Sequence, residues 1–127
     1  MNVLQRVVAE EKGALTPPKI DSYTSVAINV ATGADNSLIA APGANKQIWV
    51  YGVIASADVD GTISFQDEDD TAVSGIMSIL AKTTFVVSPS GNFAMPVWKV
   101  VTNKALEVDA VTCTVDGSLS YAIVDVS

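Results

Sequence analysis

The 127 residues hold fourteen Asp and Glu side chains, seven Lys and Arg, one cysteine and no histidine, which narrows the chemistry at once. Without histidine there is no Ser-His-Asp triad and no His-ligated metal centre. Cys113 is the only cysteine, so it can form neither an intrachain disulfide nor a Cys-based structural zinc site. No glycine-rich phosphate loop of the Walker or dinucleotide type is present. The carboxylates remain, and Asp58, Asp60, Asp67, Glu68, Asp69 and Asp70 gather in two loop-like stretches. Two acids at the right separation suffice for glycoside hydrolysis, but the general acid needs an apolar pocket to raise its pKa. Calcium takes several oxygen ligands, yet Asp58-Val59-Asp60-Gly61 lacks the full loop spacing and Asp67 to Asp70 fits no fixed motif. These acids read as turn formers and solvating groups. The expectation is a protein that is not an enzyme, with no catalytic residue, no metal site and no cofactor.

The formal net charge of -7 suggests solubility and little non-specific sticking. Duplex binding needs clustered Lys and Arg, and no such cluster is seen, so nucleic acid is not an expected partner. No segment approaches the roughly 20 apolar residues that span a bilayer, and MNVLQRVVAEEKG lacks a signal-type apolar run. The expectation is no membrane partner and assembly in a cytoplasm. Cys113 lies within the alternating segment Val111 to Val115, where a small buried thiol is expected.

The elements that position these residues are strands. Hydrophobic residues make up 49% of the chain, enough for a packed core, and most are Val, Ile and Ala. Branched side chains suit a pleated sheet because their restricted χ1 angle costs little there. Strand signals recur at Tyr23–Val30, Ser37–Ala41, Lys46–Ala57, Thr62–Asp67, Gly75–Leu80, Thr83–Val87, Val97–Val101, Ala105–Val111 and Gly117–Val126, with turn residues between them. Asp58 to Gly61 reads as a tight hairpin connection, with glycine supplying positive φ. In Thr62 to Asp67, Ile63 and Phe65 point inward while Thr62, Ser64 and Gln66 point outward. Short strands at regular spacing, with no helix-length amphipathic segment between them, predict an all-β antiparallel sandwich or barrel.

Two segments stand apart. In Lys46 to Ala57 strict alternation sets Trp49, Tyr51 and Val53 on one face and Ile48, Val50 and Ile54 on the other. Both faces are apolar, so both need cover. One cover is the opposing sheet. The second is either the chain's own loops or a neighbouring subunit, and the expectation favours the subunit, with Trp49, Tyr51 and Val53 as its interface. The other segment is residues 1–20, read as an arm ahead of a body at residues 21–127. It carries Val3, Leu4, Val7 and Val8 at helical spacing, with Arg6 among them and Leu15 beyond, before the stiff Thr16-Pro17-Pro18. Burying four aliphatic side chains gains about 6–12 kcal/mol. Fixing eight backbone residues costs roughly 8–16 kcal/mol, so the arm should need a partner surface.

Lys46 to Asp67 (KQIWVYGVIASADVDGTISFQD), Ser74 to Gly91 (SGIMSILAKTTFVVSPSG) and Ala105 to Val126 (ALEVDAVTCTVDGSLSYAIVDV) cover about two-thirds of the chain. In these stretches a long apolar strand turns into G-T-x-x-F, and a Tyr-containing strand closes the body. This pattern resembles the small jelly-roll-type decoration (cement) proteins on the heads of tailed bacteriophages. The resemblance implies a jelly-roll-like antiparallel β-sandwich with an extended N-terminal arm. It further implies a structural virion protein, set on the capsid exterior as trimers that clamp the major capsid protein. The capsid-binding arm would then include Val3, Leu4, Arg6, Val7, Val8 and Leu15. The competing expectation is a receptor- or carbohydrate-binding module of a fibre or spike. That reading relies on exposed aromatics, with Trp98 and Tyr23 as candidates.

Overall fold

The computed structural model describes residues 18–127. Among them are nine strands and no helix: β1 (Lys19–Val30), β2 (Gly33–Ile39), β3 (Lys46–Ala57), β4 (Gly61–Asp67), β5 (Met77–Ile79), β6 (Phe85–Val87), β7 (Trp98–Lys99), β8 (Leu106–Val111) and β9 (Val115–Asp125). The candidate arm residues Val3, Leu4, Arg6, Val7, Val8 and Leu15 lie outside the described residues. The sheet begins at Lys19, opposite Asp125, so residues 19 and 20 belong to the body rather than the arm.

The strands form two antiparallel sheets. One runs β1-β9-β3-β6, with β7 also on the far side of β3, and the other runs β2-β8-β4-β5. The pairing is nested. First strand meets last, second meets second-last, β3 meets β6 and β7, and β4 meets β5. The chain therefore follows the path of one long hairpin folded back across two layers. The all-β sandwich expected from composition and spacing is what forms.

The layers meet through the residues that alternation turns inward. Ile63 and Phe65 of β4, Leu106, Val108 and Ala110 of β8, and Ile39 and Ile79 face Ile28, Val30, Val115 and Leu119 of the first sheet. Phe65, Ile63 and Leu106 are fully buried, so removal of this apolar area from water is the main stabilising term.

The link from β3 to β4 corrects one expectation. These strands lie in different sheets, so Asp58 to Gly61 is a crossing between layers and not a hairpin. Asp58 anchors it: its N–H donates to the Thr114 carbonyl (3.2 Å), and its carboxylate accepts from the Thr114 N–H (2.7 Å). Gly61 is needed here for space. A Cβ at that position would lie 2.3 Å from the Val111 carbonyl oxygen and 2.7 Å from Cys113 Sγ.

The second correction concerns β3. Its register against β9 shifts between Val50 and Gly52, which places an extra residue, Tyr51, in the strand. A bulge of this kind breaks the two-residue alternation. Ile48 and Val50 face the core before it, and Val53, Ala55 and Ala57 face the core after it. Val53 thus leaves the face it was expected to share with Trp49 and Tyr51, and is 1% exposed between the sheets.

Candidate functional site

The two outer faces of the sandwich differ in chemistry. On the second sheet the outward residues of β4 and β8 are Thr62, Ser64, Gln66, Glu107 and Asp109, a polar and acidic surface, with Val111 exposed at the end of β8. On the first sheet the outward residues around the bulge include Trp49, Tyr51 and Ile54, with Ser118 and Ser120 of β9 beside them. Trp49, Tyr51, Ala122 and Val124 form a small buried cluster of their own there. It is separate from the intersheet core.

The chain itself supplies much of the cover for this cluster. The segment between β6 and β7 folds over Tyr51, whose hydroxyl donates to the Phe93 carbonyl at 2.6 Å. Phe93, Tyr23 and Tyr51 meet edge to face, with ring centroids 5.2–5.7 Å apart. Ala122 lies opposite both Tyr23 on β1 and Trp49 on β3, and its small side chain leaves room for the rings beside it. Burial, and secondarily the neighbouring Tyr23, push the Tyr51 hydroxyl pKa above its ordinary value. Trp49 is closed off differently. Its indole N–H donates to Gln47 Oε1 (2.9 Å), and Lys99 Nζ sits 4.2 Å from the ring centroid, a cation–π contact. Trp49 and Tyr51, the expected subunit interface, are both buried by the chain's own residues.

What stays open on this face is a pair of clefts on either side of Pro89. One, of about 160 Å³, is lined by Tyr23, Tyr51, Phe93, Asn92, Gly91 and Pro89. The other, of about 260 Å³, lies over Gly52, Ile54, Val86, Ser118 and Ser120. Pro89 lines both, and Gly52 lines the second cleft. A Cβ there would come 3.3 Å from the Val87 carbonyl oxygen and 3.4 Å from Pro89 Cδ. Tyr23 (50%), Phe93 (49%), Ile54 (59%) and Val86 (52%) are all exposed along this strip. Ile54 and Val86 are direct cross-strand partners. Their outward position follows from the bulge, which returns Ile54 to the same face as Tyr51.

Trp98 does not join this strip. It pairs with Val50, is half-buried, and lies with its ring centroid 5.1 Å from that of Phe65. The bulge lies beyond Val50, so Trp98 shares the inward face of that part of β3. The candidate ligand aromatic is therefore packed against the core, and of the two aromatics expected to be exposed only Tyr23 is on the open face.

The loop acids are tied into local structure. Asp67 is buried, and its carboxylate accepts from the N–H groups of Asp69 (2.8 Å) and Thr71 (3.0 Å), closing the β4–β5 turn. Asp60 accepts from Ala81 N–H (2.8 Å), Glu68 accepts from Ala105 N–H (2.9 Å), and Asp69 pairs with Lys104 (2.8 Å). Sequence reading missed a third grouping, Asp35, Asp70 and Glu107, whose carboxylate oxygens lie within 4.8 Å of one another. Asp35 (φ 60°) and Asp70 (φ 63°) are in left-handed conformations, and the Gln66 amide donates to both, at 2.7 and 3.0 Å. The Asp35 charge raises the pKa of Asp70, and desolvation followed by the Asp35 charge raises that of Glu107. Positions this far apart in the chain leave no local signal; only the pairing of β2 and β4 with β8 joins them. Cys113 is fully buried, and desolvation raises its pKa, which disfavours the nucleophilic thiolate.

These features define an all-β sandwich with one acidic outer face and one aromatic, cleft-bearing outer face. In comparison with known proteins, the chain matches no family model, no curated protein and no solved structure.

Proposed function

We propose that this chain is a structural virion protein that coats the outside of a capsid, binding as trimers to the lattice of the major capsid protein. The observation that carries the reading is the apolar strip of Tyr23, Phe93, Ile54 and Val86 around the two clefts, set opposite an acidic face. Apolar surface of this kind on one side suits contact with protein, and negative charge on the other suits exposure to water. The nested strand pairing supports the finer reading of the sandwich as a jelly roll. Trimers bring three such faces and three arms to one shell, so modest single affinities multiply through effective concentration. Assembly would take place in the host cytoplasm, with the protein ending on the capsid exterior. Co-sedimentation of the purified chain with bare shells tests this. Saturable binding that weakens with Ile54→Asp supports it, and no binding at micromolar chain removes it.

A second reading, a receptor- or carbohydrate-binding module of a fibre or spike, is favoured by one observation. Tyr23 and Phe93 flank a cleft that also carries the Asn92 amide, and sugars are held by aromatic faces with amides beside them. A glycan array separates the two: a signal lost with Phe93→Ala would establish the module, and a blank array would leave the coat role.

A further inference from the structure

Four edges bound the two sheets, and three are blunted. In the first sheet the far edge consists of β6, three residues, and β7, two residues. In the second sheet β5 has three residues, and β2 breaks register twice against β8 while carrying Gly33 and Asp35 at positive φ. Short, bulged or charged edges resist pairing with other strands.

The fourth edge is different. β1 runs twelve residues, and its one irregularity lies between Ile20 and Ser22, at the end that carries Lys19 and Asp21. From Ser22 to Asn29 it has no charge, no proline and no glycine. Among the described residues nothing pairs with it on the side away from β9, and Tyr23, Thr24, Ser25, Ala27 and Asn29 are exposed. In a strand with one neighbour, half of the backbone N–H and C=O groups point at the open side. They form a template for another strand.

We infer that β1 pairs antiparallel with β1 of a second copy of this chain, across a twofold axis, so that two first sheets become one continuous sheet. Length selects the occupant. Among the described residues no other open edge can match an uncharged run from Ser22 to Asn29, whereas β1, about an axis at Val26, matches itself from Ser22 to Val30. The faces match too. A twofold axis at Val26 sets Thr24 opposite Ile28 on the inner face and Ser25 opposite Ala27 on the outer face, with no like charges opposed. Such a contact is isologous and closes at two copies. It is independent of the coat reading, and on a shell it would join one trimer to the next.

The test uses the full chain without shells. Sedimentation equilibrium and amide hydrogen exchange are measured across a concentration series, for the wild type and for Ser25→Lys with Ala27→Lys. Both sites are exposed, so thermal midpoints confirm that the variant remains folded. The expected result is association beyond the 13.2 kDa chain with concentration-dependent protection of the β1 amides. The Lys variant should weaken the association by about tenfold, because like charges then oppose across the axis. The inference is overturned if β1 exchange is independent of concentration, or if the variant associates as the wild type does. It is also overturned if removing residues 1–17 alone abolishes the protection, since the arm would then be the strand's partner.

Discussion

Tyr51 and Phe93 hold each other twice: the tyrosine hydroxyl donates to the phenylalanine carbonyl at 2.6 Å, and the two rings meet edge-on at 5.3 Å. One contact fixes the backbone of the loop and the other fixes its side chain. Tyr51 is also the extra residue of the β3 bulge, so the bulge and the loop that covers it are one device.

Tyr51→Phe keeps the ring and removes the hydrogen bond. The loss should be about 1 kcal/mol, read by denaturant unfolding. Amides of the segment between β6 and β7 should exchange faster, while those of β8 should not change. Equal acceleration in both would show that Tyr51 acts through global stability instead.

The bulge makes a sharp prediction for two adjacent positions. Val53→Asp buries an unpaired charge between the sheets and should cost more than about 3 kcal/mol, preventing folding or lowering the midpoint steeply. Ile54→Asp, on the exposed face, should change stability by about 0.5 kcal/mol or less. Thermal melts of the two variants check the face assignment directly.

Gly117 on β9 lies against β3. A Cβ there would be 2.1 Å from the Ile54 carbonyl oxygen and 2.6 Å from Ala55 Cα, both backbone atoms. Gly117→Ala should therefore force the strands apart and cost about 3 kcal/mol, at the upper end for overpacking. A midpoint within a degree of wild type would contradict this spacing.

The acidic trio sets a pH trend. Asp70 and Glu107 have folded pKa values raised from their ordinary values, Asp70 by the Asp35 charge and Glu107 by desolvation. Such groups lend stability that is complete below the unfolded pKa of about 4 and is lost as pH rises through the raised values. Asp125 acts in the opposite sense. Its pKa is lowered by hydrogen bonds with Ser127, so its contribution is present above the unfolded value and lost as pH falls. Asp70→Asn should remove the repulsion while keeping an acceptor for Gln66, and Asn tolerates the left-handed backbone at this position. Its melting midpoint should exceed that of the wild type at pH 7 and match it at pH 3.

The strands were legible because their cause is local. The apolar run of Lys46 to Ala57 matches β3 at both ends, and Ile63 and Phe65 point inward as alternation requires. The break at Asp58 to Gly61 was also legible as a break. Its role was not, since whether a chain turns back within a sheet or crosses to another depends on Thr114, far away in sequence.

The sequence alone determined an all-β, acidic chain of alternating strands with no histidine and a single cysteine, because composition and two-residue periodicity act through neighbours along the chain. Tertiary structure decided which apolar side chains stay uncovered. One extra residue in β3 reverses the faces beyond it, sending Val53 inward and Ile54 outward, and register against β9 is a property of two strands rather than one. The same holds for Trp98, turned onto Phe65, and for Asp35, Asp70 and Glu107, which only sheet pairing brings together.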